Sequence, residues 1–195
     1  MKGKIVLVFL AVFLACSMAE CNPVVKSSVR SHSWAETILV YSDSKINVYI
    51  PADMINFNLF RTKYPQNGSF SMVLYYEFKD DQIRRNIIES IKQGIAGNSI
   101  SFFGRAYPEL LRFVVSYAFF DMQNRQVTIS REMYVDQDGE FIGTRDTNEV
   151  TELNEQHPLF TTLARSIAGV LERAKNYPKN ADILKELQRP SDLGQ

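Results

Sequence analysis

Histidine, cysteine and tryptophan are all scarce: two His, two Cys and one Trp in 195 residues. A zinc or non-haem iron site ordinarily draws on two or more His at set spacing, and His32 and His157 stand far apart. A catalytic Ser or Cys needs a positioned base. His157, directly before Pro158, reads instead as a polar residue at a helix start. No catalytic set, metal or cofactor is implied, and an enzyme is not expected. An excess of positive charge is missing too, with 22 Lys+Arg against 22 Asp+Glu. Without residues 1–15, which contain Lys2 and Lys4 and no acid, the balance is 20 − 22 = −2. That excludes a strongly basic surface, so no nucleic-acid partner is expected. Internal repeats and low-complexity tracts are absent. The longest apolar run is eleven residues, Ile5 to Ala15, well short of the ~20 that span a bilayer.

That run follows Lys2 and Lys4 and has no charge of its own. It is the basic region and apolar core of a secretion signal. Residues 1–15 are therefore expected to be removed on export. Two cleavage sites compete. Leu14-Ala15-Cys16 resembles the lipobox of bacterial lipoproteins, in which the Cys becomes the first residue and carries acyl chains. Ser17-Met18-Ala19 offers small residues at both recognition positions and would release a chain starting at Glu20. The first is the expected site, with Cys16 lipidated and the membrane a partner through that anchor. Two or more acyl chains, at ~0.8 kcal/mol per buried CH₂, make such attachment lasting. Ser17 rather than Asp after the Cys resembles the default signal for the outer membrane. Either cut leaves Cys21 without an intramolecular partner, so the fold must stand without disulfides. Residues 16–33 read as a flexible tether, and 190–195 as a disordered tail.

Between them, residues 34–189 are long enough for one domain with a substantial core. Residues 34–41 and 46–50 are β-rich and joined by Ser42-Asp43-Ser44-Lys45, which predicts a hairpin ended by Pro51. Residues 58–64 suggest a further strand, and 70–78 a strong one. Asp80 or Asp81 caps a predicted helix with Ile83, Ile87, Ile88, Ile91 and Ile95 on one side and Gly94 and Gly97 at its end. Gly94-Ile95-Ala96-Gly97 lacks the spacing of a phosphate-binding loop. Residues 98–110 read as a loop with buried aromatics and a short helical turn.

A meander is predicted next: 111–122, then 126–135, then a strand from Glu140 to Thr144. In the second of these, alternation puts Val127, Ile129, Arg131 and Met133 on one face and Thr128, Ser130, Glu132 and Tyr134 on the other. Asp136-Gln137-Asp138-Gly139 has too few acids for a calcium loop and fits a hairpin turn. Asp146 to Glu149, with Glu152 and Glu155, reads as a solvated acidic loop. A helix follows with Leu159, Leu163, Ile167, Val170, Leu171 and Ala174 as its stripe. A last short one is predicted over 179–187, with Ile183, Leu184 and Leu187 inward. The sum is an α+β fold: an antiparallel sheet of about five to seven strands with two or three helices packed against one face.

The order of these pieces resembles a known family. Trp34 is followed by Val40-Tyr41-Ser42-Asp43 and Val48-Tyr49-Ile50-Pro51-Ala52-Asp53-Met54-Ile55. Later come Phe119-Phe120-Asp121-Met122, Arg125, Tyr134-Val135-Asp136-Gln137-Asp138-Gly139, and a closing helix with Ser166-Ile167. The pattern is similar to the bacterial surface-adhesin protein E family, in pieces over about 34–56 and 113–171. The family's cysteine pair is missing, and 79–110 looks like an insertion. The resemblance implies a small antiparallel sheet backed by helices, exposed at the cell surface and binding a macromolecule. It carries over no binding residues.

Two groups of residues are candidates for binding. Tyr75, Phe102, Phe103, Tyr107 and Tyr117 would line an aromatic ligand cleft. Arg84, Arg85 and Lys92 would form a basic interaction face on one helix. The expected function is that of an exported, lipid-anchored, non-catalytic envelope protein with a protein partner, placed at the outer membrane or cell surface, otherwise periplasmic or secreted. The alternative is a small-ligand module that uses the aromatic cleft.

Overall fold

The computed structural model describes residues 26–27, 37–58, 68–104 and 106–175. The leader, Cys16, the tether, Trp34, most of the 58–64 segment, the 179–187 helix and the tail lie outside these residues.

The expected α+β fold forms. Its strands are β1 (Lys26–Ser27), β2 (Thr37–Ser42), β3 (Ile46–Pro51), β4 (Phe70–Phe78), β5 (Ser101–Phe102), β6 (Leu111–Asp121), β7 (Gln126–Asp136) and β8 (Phe141–Glu152). They build one antiparallel sheet in the order β1-β2-β3-β4-β6-β7-β8-β5. The helices among the described residues are α1 (Ala52–Asn56), α2 (Asp81–Ala96) and α3 (Pro158–Ala174). None is long and apolar enough to cross a membrane.

Local chemistry explains the boundaries. The Asp43 carboxylate accepts from the Lys45 and Ile46 backbone amides and closes the β2–β3 hairpin. Asp80 caps α2 by accepting from the Gln82 and Ile83 amides. Asn98, at φ 56°, takes the left-handed residue past the end of α2. Gly94 in its last turn leaves room for Ile100, whose Cδ1 would lie 2.5 Å from a Cβ there and would have to shift. Asp136 accepts from the Asp138 and Glu140 amides, and Gly139 supplies the positive φ of the β7–β8 turn.

One face of the sheet carries the main core. Val48, Leu74, Val114, Phe120 and Val127 from the strands meet Ile87 and Ile91 of α2 and Leu163, Ile167 and Leu171 of α3, all nearly inaccessible. The stripes expected on both helices are the ones buried, except Ile95 at the end of α2, which is only partly covered. α3 starts beside the β6–β7 turn, where the Leu153 amide donates to the Arg125 carbonyl, and it packs against β2. In the sheet β2 lies three to four strand spacings from that turn, or ~14–19 Å. A helix of 17 residues is about 25 Å long, enough to cross that distance.

Four expectations are corrected. First, an extra residue at Ser130 shifts the register of β7 against β6, and β8 carries its own extra residue, Thr147 and Asn148 lying opposite Ser130. The strict alternation read from sequence therefore breaks: Val127, Ile129, Glu132 and Tyr134 face the helices, while Arg131 and Met133 face outward. Second, the acidic stretch 146–152 is no loop but the continuation of β8, with Asn148 at φ 70° absorbing an irregularity. Third, the aromatics of 98–110 are exposed rather than buried; only short β5 and a 3₁₀ turn at Pro108–Leu110 form there. Fourth, Asn58 does not begin a strand. It is fully buried after α1, donating to the Met54 and Ser71 carbonyls and accepting from the Ser71 amide, which fastens α1 to β4.

Phe120 is fully buried and stacks on Phe70 at 4.8 Å between ring centroids. Phe120→Ala is expected to cost about 3–5 kcal/mol in urea unfolding, and Asp80→Ala about 1 kcal/mol through the lost cap.

Candidate functional site

The face of the sheet away from the helices is also apolar. Because β6 alternates Phe113, Val115, Tyr117 and Phe119 with its core residues, both of its faces carry large side chains. Tyr49, Phe113, Val115 and Val135 form a second buried cluster, with Leu39, Val73, Tyr75 and Met133 packed around it. Tyr75 meets Phe113 edge to face at 6.4 Å. At one border Glu77 accepts from Tyr49 OH at 2.9 Å and pairs with Arg112 at 3.5 Å; the Arg112 guanidinium lies 4.9 Å from the Phe113 ring centre. At the other, Arg131 pairs with Asp146 at 2.7 Å. This is an apolar band framed by ion pairs.

The residues expected to form one aromatic cleft separate into two places. Tyr75 and Tyr117 lie on the outer band. Burial, then the neighbouring Tyr117 hydroxyl, push the Tyr75 phenol up to about 12, so it remains a hydrogen-bonding phenol at neutral pH. Phe102, Phe103 and Tyr107 gather at the end of the sheet where β6 and β8 begin. Phe102 pairs with Gly143, and the Phe103 amide donates to the Ile142 carbonyl. The Gln137 amide donates to the Leu110 carbonyl, and Phe141 pairs with Val135. Phe102, Phe103 and Tyr107 are 46, 49 and 70 % exposed, and Leu110 and Phe141 are also exposed. Strand pairing thus brings these exposed residues to the same end of the sheet, Phe102 opposite Gly143 on the helix side and Phe141 opposite Val135 on the outer side. Sequence reading missed Leu110 and Phe141; nothing local marks them, because strand pairing alone brings them there. Gly143 makes the arrangement possible: a Cβ would meet the Ser101 carbonyl oxygen at 2.7 Å.

The three basic candidates share α2, and each has an acidic or amide partner. Arg84 pairs with Asp81 at 3.0 Å, and Arg85 donates to Gln82. Lys92 pairs with Glu109 at 2.8 Å and Glu89 at 3.1 Å, and its ammonium is held above its ordinary value by those hydrogen bonds, Glu109 first. The Lys92–Glu109 contact ties α2 to the 3₁₀ turn beneath Tyr107.

A second constellation lies on the helix-covered side. Glu132, buried by the Ser130 bulge, accepts from Arg145 Nη2 at 2.6 Å and from Tyr134 OH at 3.0 Å. Arg145 Nε is buried with no partner among the described residues. Burial holds the Glu132 carboxyl above the usual carboxylate range, with Arg145 and Tyr134 pulling it back. Tyr134 is likewise raised, by burial first and then by the Glu132 charge. A carboxylate, guanidinium and phenol so arranged pair with one another, apart from the unpartnered Arg145 Nε, and fix the pairing of β7 with β8. Among the described residues no three His, Cys, Asp or Glu side chains come together as a metal would require.

No protein-family profile, curated protein or solved structure matches this chain.

Two outcomes are expected of the buried pair. Arg145→Met leaves Glu132 without its counter-charge and should destabilise by about 3 kcal/mol, whereas Glu132→Leu with Arg145→Met should recover most of that loss. The raised carboxyl also sets a pH dependence. Folded protein holds the Glu132 proton more tightly than unfolded protein, so this contribution is full below the ordinary carboxylate value and is lost as pH rises through the folded one. Glu132→Gln does not titrate. Urea unfolding should therefore show the parent losing stability relative to Glu132→Gln as pH rises above the ordinary carboxylate range; the opposite trend would mean that Arg145 outweighs burial.

Proposed function

We propose that this chain is an exported bacterial envelope protein, lipid-anchored through Cys16, that acts without catalysis by binding a macromolecular partner in the manner of an adhesin. The observation that carries the reading is the open aromatic end of the sheet. Phe102, Phe103, Tyr107, Leu110 and Phe141 present ring and aliphatic surface to solvent. Exposed apolar groups gathered in one place mark interaction surfaces. Aromatic residues supply much of the binding energy at such surfaces, because large rigid rings lose little entropy on docking. The neighbouring Lys92–Glu109 pair and the acidic Asp138 and Glu140 give this patch a polar rim.

Three further points support the reading. A basic and apolar leader precedes Cys16. Residues 16–33 give the domain reach from a membrane. The resemblance to the surface-adhesin protein E family implies the same address. The patch's openness suits a macromolecular surface better than an enclosed small ligand, and Tyr75 and Tyr117, needed for the cleft alternative, belong to the outer band instead.

Two measurements test this. Mass spectrometry of the mature N-terminus should find acylated Cys16, lost in Cys16→Ser; an unmodified start at Glu20 overturns the anchor. Photo-crosslinking from position 103 in intact cells should trap a specific partner, with position 86 on α2 as the silent control. Phe102→Ser and Tyr107→Ser should each weaken that capture by about tenfold, as loss of a central aromatic contact does. No adduct, or one indifferent to both substitutions, would sink the binding assignment.

A further inference from the structure

The aromatic end of the sheet is also its edge. β5 is the last strand in the order and pairs with β8 along one side only. The Phe103 amide donates inward to the Ile142 carbonyl. Backbone groups alternate in direction along an antiparallel strand, so the Phe102 N–H and C=O point away from the sheet. Ser101, Phe102, Phe103 and Gly104 are all exposed, and no described element covers that side. Proteins ordinarily blunt such an edge with charge, proline or a bulge. β8 shows this defence where it runs past β5: Asp146, Glu149 and Glu152 lie along it, and Thr147 and Asn148 form a bulge. Residues 98–104, Asn-Ser-Ile-Ser-Phe-Phe-Gly, carry neither charge nor proline.

We propose that this edge pairs with the same edge of a second copy of the chain, antiparallel about a two-fold axis at Phe102. The inference rests on the aromatic end being a binding surface, and it names the partner there. Three features select a second copy. The first is hydrogen bonding. Phe102 is the β5 residue whose N–H and C=O both face out, and two copies meeting at it exchange both bonds. A two-fold contact requires this self-complementarity. The second is charge. An uncharged segment meets its own copy without repulsion, whereas self-pairing of the β8 edge would bring Asp146, Glu149 and Glu152 up against the same acids. The third is the side chains. Phe102 falls opposite the partner's Phe102, and Phe103 opposite the partner's Ser101. Directly opposed aromatics on one face of a sheet stabilise strand pairing.

Size sets the strength of the contact. Phe102, Phe103 and Tyr107 are 46, 49 and 70 % exposed. At ~150–250 Å² for each enclosed ring, covering those parts in both copies removes roughly 500–800 Å² from water. Standard interfaces bury about 1,200–2,000 Å² in total, so this dimer is weak and depends on concentration. Gly104, at φ 73°, turns the chain after Phe103 and keeps the pairing short.

Sedimentation equilibrium tests it in the otherwise intact chain, with Cys16→Ser and Cys21→Ser removing the native thiols. The average mass should climb with concentration towards twice that of one chain. Phe102→Pro removes the outward N–H and no β5–β8 bond, a substitution that sheet edges tolerate, and it should stay monomeric. Phe102→Ser keeps the amide and should dimerise about tenfold more weakly than the parent. A parent of single-chain mass at every concentration overturns the pairing, as does Phe102→Pro dimerising as well as Phe102→Ser. Register supplies a second measurement that needs no proline. Opposed Cα atoms such as those of positions 101 and 103 lie ~4.5 Å apart, within disulfide reach, while two copies of position 101 lie ~8 Å apart, outside it. Ser101→Cys mixed with Phe103→Cys should therefore form linked heterodimers at least about tenfold faster than either links to itself; no preference for the mixed pair overturns the register. In cells, the adduct from position 103 should contain two copies of this chain. A different protein trapped there overturns this inference and upholds the binding surface, and no adduct sinks the surface and the inference with it.

Discussion

The constraint on which this fold depends is that β6 is apolar on both sides. Val114, Ala118 and Phe120 point one way; Phe113, Val115, Tyr117 and Phe119 point the other. An antiparallel sheet ordinarily packs one face on a core and offers the other to water. Here α2 and α3 close the first face, and water is a poor neighbour for the second. Fully burying a large apolar side chain stabilises by roughly 1.5–3 kcal/mol, so each half-buried aromatic there leaves about half of that unrealised. The framing pairs, Glu77 with Arg112 and Arg131 with Asp146, set polar limits on that surface. Everything distinctive about the outer face follows from this two-sided strand.

Much of the architecture was legible because period and capping agree with tertiary packing. The isoleucines of α2 at helical spacing are the ones buried, and Asp80 is the residue that caps it. Pro158 opens α3, and its stripe faces the core. Strand β4 has the bounds its composition predicts. Legibility fails where pairing, not pattern, decides. The polar residues 146–152 read as a loop, yet β7 holds them as a strand, the Thr147 hydroxyl donating to the Ile129 carbonyl. Strand residues at a sheet edge need no apolar alternation, so no periodic signal exists to find.

The candidate site was less legible than the fold for the same reason. Phe102, Phe103 and Tyr107 were identifiable as a local aromatic run, but their exposure was not, since exposed and buried aromatics look alike in sequence. Phe141 joins them only through the register of β7 with β8, and Leu110 only through its carbonyl bond to Gln137. Tyr75 and Tyr117, similar in type and strand setting, belong to a different surface. No spacing rule separates them.

The bulge at Ser130 shows how one extra residue redistributes chemistry. Without it, alternation would carry Arg131 and Met133 to the helix side and leave Glu132 and Tyr134 outside. With it, Met133 joins the outer band, Arg131 reaches Asp146 on the surface, and Glu132 enters the interior. A buried carboxylate is unfavourable unless matched, and β8 supplies the match in Arg145 directly opposite. The pair therefore does for register what apolar packing cannot. Slipping β8 by one residue would send Arg145 to the other face and strand Glu132 without its counter-charge. That register in turn places Gly143 against β5 and Phe141 beside Val135, so the buried ion pair and the exposed aromatic end depend on the same alignment of two strands.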